Sequence, residues 1–190
     1  MMDVKEIITT SKEIYDKGLV SGKSGNISVK FKDNVIGITP TLKSLSDLKS
    51  EDIVLVDLDG NVLTKGKPSS EVNMHIEIYK KRSDVNAIVH THSPYSTGFA
   101  FSDKKLKRLE GFGEIKNPYL QYVDYEKPGT MELAFKAAEA IENEDTIILK
   151  NHGVVCVGEN LKEAKLLSVF IEESSKTQFV SYMLNSAEDI

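Results

Sequence analysis

Three of the four histidines in this chain stand in two short segments, His90-Thr91-His92 at the end of one apolar run and Asn151-His152-Gly153 after another. Residues i and i+2 of a pleated strand point to the same side, so His90 and His92 can present two imidazoles to one ion. His152 can supply the third if the two apolar runs are neighbouring strands. Three imidazoles suit a catalytic Zn²⁺, because they leave a coordination position open and the metal charge uncompensated. The other reading is a set of core or surface histidines bonded to backbone; the same-face pair and its third partner favour the metal. Glu71 is the natural fourth group. It falls in the first turn of an expected helix, where the macrodipole favours a carboxylate, although that position alone also suits a carboxylate that only complements the dipole.

Around these residues lie three clusters of small hydroxyl and amide side chains: Ser24-Gly25-Asn26, Thr39-Pro40-Thr41 and Ser69-Ser70. Each sits at a turn between elements, where backbone N–H groups and side-chain donors can cradle a phosphate. Taken singly, each is also ordinary turn and capping chemistry. Their combination with Glu71 and the three histidines is what makes the pattern specific.

The elements that must position these groups can be read along the chain. Val4 to Lys17 carries Val4, Ile7, Ile8, Ile14 and Tyr15 on one helical stripe, with Gly18 where a left-handed cap belongs. Ile27–Phe31 and Val35–Ile38 read as strands joined around Asp33-Asn34 and stopped at Thr39-Pro40, followed by a strand at Ile53–Asp57 and a short extended piece at Val62-Leu63. Pro68-Ser69-Ser70-Glu71 opens a helix to about Arg82, with Ser69 or Ser70 as N-cap and Val72, His75, Ile76 and Tyr79 facing inward. A strand at Asn86–His92, a helix beginning in Pro94–Phe101, and a solvated basic stretch at Lys104–Arg108 follow. Gly129-Thr130 caps a helix at Met131–Ile141; strands Thr146–Lys150 and Gly153–Val157 and a closing helix from Leu161 to about Leu184 complete the pattern. Interleaved helices with several strands joined by short turns predict an α/β/α sandwich on a mixed, mainly antiparallel sheet rather than a Rossmann fold.

A length of 190 residues fits a single domain over 1–190 that buries roughly 70% of its unfolded-state surface. The net charge of −5 argues against nucleic acid as a partner but does not exclude local anion sites. No stretch approaches the roughly 18 apolar residues that span a membrane, and no export signal is visible. The lone Cys156, in Val154-Val155-Cys156-Val157, reads as a buried thiol in a reducing, cytoplasmic setting. A closed structural zinc site is disfavoured, since such sites usually use cysteine.

As an ordered set, Ser24-Gly25-Asn26, Thr39-Pro40-Thr41, Pro68-Ser69-Ser70-Glu71, Ala87–His92, Gly129-Thr130 and Asn151-His152-Gly153 closely resemble the class II aldolase family, which includes the L-fuculose-1-phosphate aldolases, L-ribulose-5-phosphate 4-epimerase and the adducin head. The resemblance covers nearly the whole chain. It implies a three-layer α/β/α fold, a cyclic homotetramer with active sites near subunit interfaces, and one Zn²⁺ or another divalent ion per subunit. His90, His92 and His152 match the family's metal ligands. Glu71 matches the residue that ligates the metal at rest and then acts as acid/base. Gly25, Asn26, Thr41, Ser69 and Ser70 match its phosphate-binding positions.

The implied reaction cleaves or forms a phosphorylated ketose such as L-fuculose 1-phosphate, through a zinc-stabilised enediolate of dihydroxyacetone phosphate and an aldehyde such as lactaldehyde. The alternatives are a sugar-phosphate epimerase, a methylthioribulose-1-phosphate dehydratase and a non-catalytic adducin-like module. The epimerase branch usually has Asp at the Glu71 position, and loss of catalysis would normally show as missing ligands. Two departures stand out. Leu42-Lys43 replaces a usual glycine after Thr41, where Lys43 can compensate in phosphate binding, and Leu109-Glu110-Gly111-Phe112-Gly113 lacks the family's aldehyde-end tyrosine in register. Tyr119, Tyr122 and Tyr125 are the nearest substitutes, each also readable as a structural aromatic.

Overall fold

The structure, a computed structural model, describes residues 4–31, 34–109, 111–112 and 117–187. In chain order its elements are α1 (Val4–Asp16), β1 (Asn26–Lys30), β2 (Val35–Ile38), β3 (Val54–Asp57), α2 (Val72–Lys81), β4 (Ala87–Thr91), α3 (Pro94–Ala100), β5 (Gln121–Val123), α4 (Met131–Ala140), β6 (Thr146–Leu149), β7 (Gly153–Gly158) and α5 (Leu161–Ser186), with 3₁₀ turns at Leu45–Asp47 and Ser50–Asp52. The described strands form one seven-stranded sheet in the order β3-β2-β1-β4-β7-β6-β5. Every neighbouring pair is antiparallel except β5 and β6.

Alternation along the strands builds two apolar layers. Ile36, Ile38, Val54, Val56 and Ile88 point to the side of α2 and α4, where they meet Met74, Ile78, Leu133 and Ala137. Ile27, Val29, Ala87 and Val89 point the other way, onto Ile7 and Ile14 of α1 and Leu161 and Ala164 of α5. Phe99 and Ala100 of α3 extend that second layer over Ile148, Val154 and Cys156. Helices on both faces make the α/β/α sandwich, and one parallel pair makes the sheet mixed. No helix among the described residues is long and apolar enough to cross a membrane.

Several local readings change. Glu71, not Ser69 or Ser70, is the N-cap of α2, which begins at Val72. The cause is tertiary: Pro40 bridges Pro68 and the Ser69 N–H donates to the Thr39 carbonyl at 3.0 Å, and a turn closed by the Val72 N–H on the Ser69 carbonyl at 3.1 Å then carries the chain through Ser70 and Glu71 into the helix. The strands carrying His90 and His152 are not neighbours, because β7 lies between β4 and β6. His152 reaches His90 and His92 instead by standing in the tight turn from β6 into β7. The basic stretch is only partly solvated, since Leu106 is buried and Arg108 pairs with Glu144. The residues read as the β1–β2 turn are described only at Asn34, in the left-handed region at φ 59°; Asp33 lies outside the described residues, as do Glu110 and Gly113.

Candidate metal centre

The end of β4 delivers His90 and, one residue past the strand, His92. The β6–β7 turn delivers His152, and it is tight enough to need a left-handed residue. Asn151 takes that conformation at φ 54°, which asparagine tolerates better than most side chains. Gly153 completes the turn. A Cβ there would strike the Thr91 carbonyl oxygen and stand 3.1 Å from the His92 ring and 3.2 Å from the His90 ring. The absence of a side chain at 153 is therefore what lets three imidazoles share one end of the sheet. Glu71 enters as the N-cap of α2, from the helix layer that His90 faces.

One ligand atom from each of Glu71, His90, His92 and His152 lies within 4.8 Å of the others. His90 Nε2 is 2.9 Å from His92 Nε2 and 3.2 Å from Glu71 Oε2, and His152 Nε2 is 3.4 Å from Glu71 Oε1. Across the cluster, His90 Nδ1 donates to the Val154 carbonyl at 2.9 Å, which directs Nε2 to the centre. Glu71 Oε1 is buried with no hydrogen-bond partner. An orphaned carboxylate oxygen facing converging imidazole nitrogens fits a divalent cation, and the nitrogen-rich donor set suits zinc-like ions.

Electrostatics match that reading. Burial pushes the Glu71 carboxyl up, but His90, His152 and the Asn26 amide outweigh it and hold it well below the usual carboxylate range. Burial lowers His90, yet Glu71 and the Val154 carbonyl raise it overall. Desolvation, with His90 and then His152 adding to it, pushes His92 down to about 3; desolvation and His90 push His152 down to about 4.

The three hydroxyl and amide clusters are brought together at the same end of the sheet. Ile27 N–H donates to Thr39 Oγ1 at 3.1 Å, Thr39 N–H returns to the Ile27 carbonyl at 3.0 Å, and Thr41 N–H donates to the Lys67 carbonyl at 3.1 Å. Gly25 adopts φ 76°, and a Cβ there would meet Val20 and, at 2.9 Å, the His90 carbonyl oxygen. Ser69 is buried and its Oγ accepts from Glu71 N–H at 3.3 Å, whereas Ser70 is exposed. Asn26 is the surprise of this group. Its side chain turns inward, donating to Glu71 Oε2 at 2.8 Å with its oxygen 2.5 Å from His75 Nε2.

Sequence reasoning placed His75 on an inner helix face and missed this connection, although Glu71, His75 and Tyr79 share a four-residue spacing that could have raised it. Lys43 is committed elsewhere, to Asp52 at 2.5 Å. Tyr122 accepts from Leu106 N–H at 3.0 Å and packs in the layer under α3, so it serves the fold; Tyr119 and Tyr125 are exposed.

The chain matches the family described as Class II Aldolase and Adducin N-terminal domain over residues 5–179. A Methanococcus maripaludis protein named L-fuculose phosphate aldolase is 44% identical over 179 residues, covering 94% of this chain and 97% of that protein. A Methanococcus vannielii protein of the same name is 46% identical at the same coverage. A solved structure of an L-fuculose 1-phosphate aldolase superposes with a TM-score of 0.89 at 30% identity, covering 98% of this chain and 89% of that one.

Proposed function

The chain belongs to the class II aldolase and adducin N-terminal domain family, and we propose that it is a zinc-dependent aldolase of a ketose 1-phosphate such as L-fuculose 1-phosphate. The observation that carries this reading is the buried convergence of Glu71, His90, His92 and His152 on one point. The two relatives named for L-fuculose phosphate support the substrate class.

In this reading His90, His92 and His152 hold the cation, with Glu71 as fourth ligand at rest. The bound cation supplies Lewis-acid stabilisation to an oxyanion beside the reacting carbon. Glu71 handles the proton: it takes one from the carbon of dihydroxyacetone phosphate in synthesis and returns it in cleavage. A carboxylate held below its usual range is a weak base, so it depends on that acidified C–H. Gly25, Thr41, Ser69, Ser70 and the backbone of Asn26 form the phosphate cradle, using the hydroxyl hydrogens of Thr41, Ser69 and Ser70. The Asn26 side chain serves Glu71 instead, and the Lys43 ion pair with Asp52 leaves the cradle without that cation. The aldehyde partner is lactaldehyde or a similar small aldehyde. A homotetramer and a cytoplasmic location belong to the same proposal; light scattering should give four times the 21.1 kDa chain mass.

A coupled assay for dihydroxyacetone phosphate release from L-fuculose 1-phosphate tests the reaction, run on zinc-loaded protein beside Glu71→Gln. Wild type should release the product, and the variant should lose about 10²–10⁴-fold in kcat. No release by wild type that holds its zinc sinks the aldolase reading and turns attention to epimerisation or dehydration at the same site.

A further inference from the structure

The fourth histidine stands outside the metal centre but is wired to it. From Glu71 Oε2 a chain of short contacts runs through the Asn26 amide to His75 Nε2, then from His75 Nδ1 to Ser28 Oγ at 2.6 Å and on to the Tyr79 hydroxyl at 2.8 Å. All five residues are buried. The arrangement follows from matched repeats. Glu71, His75 and Tyr79 recur every four residues, about 6.0 Å per step along a helix, and Asn26 and Ser28 every two residues, about 6.7 Å along a strand.

Counting donors gives the chain one direction. A carboxylate only accepts, so Asn26 must turn its NH₂ toward Glu71 and its oxygen toward His75. That oxygen also only accepts, so His75 Nε2 carries the hydrogen. Burial, with His90 adding to it, pushes His75 down to about 3, so the ring is neutral and its Nδ1 accepts. The Ser28 hydroxyl then donates to Nδ1, and the Tyr79 hydroxyl donates to Ser28. Every donor points toward Glu71. Because an amide does not titrate, the chain orients the carboxylate and conducts no proton.

We propose that His75 is a positioning residue for Glu71: its Nε2–H holds the Asn26 amide in the one orientation that offers an N–H, rather than a carbonyl oxygen, to the carboxylate. The amide group is nearly symmetric in shape, so its packing alone selects neither orientation; the acceptor-only carboxylate at one end and the hydrogen on His75 at the other select it together. A flipped amide would set oxygen against oxygen and push the Glu71 carboxylate from its place. The inference rests on the acid/base role given to Glu71 above.

Two measurements decide it. Long-range ¹H–¹⁵N NMR of the zinc-loaded wild type at neutral pH should show His75 as the Nε2–H tautomer. An Nδ1–H tautomer there, which leaves Nε2 without a hydrogen, overturns the proposal, whether or not the protein proves to be an aldolase. For the functional half, His75→Leu removes the donor and His75→Gln keeps one. His75→Leu should bind zinc at the wild-type stoichiometry and keep KM for L-fuculose 1-phosphate nearly unchanged while kcat falls about 10–100-fold. His75→Gln should recover most of that loss. A folded, zinc-loaded His75→Leu with wild-type kcat, or equal losses in the two variants, overturns it. If wild type itself shows no aldolase activity, the function above is wrong and the tautomer still decides this proposal.

Discussion

Glu71 and His90 set each other's charge when no cation is bound. Burial opposes ionisation of both, and the 3.2 Å separation of Oε2 and Nε2 overrides it. His92 and His152 are driven the opposite way, to neutral imidazoles. The empty ligand set is thus one carboxylate, two neutral rings and, in His90, the one ring that holds its proton longer than a free imidazole, so a divalent cation competes with a proton at His90 alone. Zinc binding at pH 6.5 should therefore release between about half a proton and one proton per chain. Calorimetric titration of zinc in two buffers of different ionisation enthalpy measures that number directly; release of three would mean that the rings begin as imidazoliums. The histidine cluster was legible in the sequence because the i, i+2 spacing of His90 and His92 is a local property of any strand. The Asn26 link was not, since it needs the register that sets Asn26 opposite His90 and the packing that lays α2 beneath both.

Among the elements, α3 has the task of holding the chain just after His92, and it is pinned from across the fold. Glu172 of α5 accepts from Tyr95 N–H, Ser96 N–H and the Ser96 hydroxyl, each at 2.9 Å, and is itself buried. Glu172→Ala strands the buried Ser96 donors, which should cost about 3 kcal/mol. For a chain of this length that lowers Tm by about 6–12 °C. Scanning calorimetry checks it, with Glu172→Gln expected to lose less; an unchanged Tm for the alanine variant would show that α3 is held by its apolar contacts alone. The helices expected from stripe and cap, such as α1 before Gly18 and α4 after Thr130, form where their local signals lie. β5 was missed because Gln121–Val123 is a short strand with only Val123 buried, and its partner β6 is parallel, so its pairing is fixed by tertiary placement. The start of α2 was misjudged for a similar reason, since the Pro40–Pro68 bridge and the turn from Ser69 to Val72 take up the two serines before the helix begins.

For the whole molecule these buried histidines make stability depend on pH and on metal together. In the cation-free protein His75 and His92 are held down to about 3 and His152 to about 4, against an unfolded value near 6.5. As pH falls below that unfolded value, the unfolded chain takes up protons that the folded chain refuses. Their stabilisation is thus complete above about 6.5 and drains away toward about 3–4, at up to about 1.4 kcal/mol per pH unit for each ring. Glu71, held low, adds a loss of the same sign below the ordinary carboxylate range. His90 has the opposite sign: its raised pKa stabilises the fold below about 6.5, and that contribution fades as pH rises through the folded value. With a chelator present, Tm should peak near pH 6.5 and fall steeply on the acid side. Zinc reverses the alkaline limb, because the bound state needs His90 deprotonated, so the Tm gain from zinc should grow as pH rises toward the folded value of His90. Calorimetric scans across this range, with chelator and with excess zinc, test both limbs. A chelated protein whose Tm stays level between pH 6.5 and the carboxylate range would mean that the three rings are protonated in the folded state, and the electrostatic account of the centre would have to be abandoned.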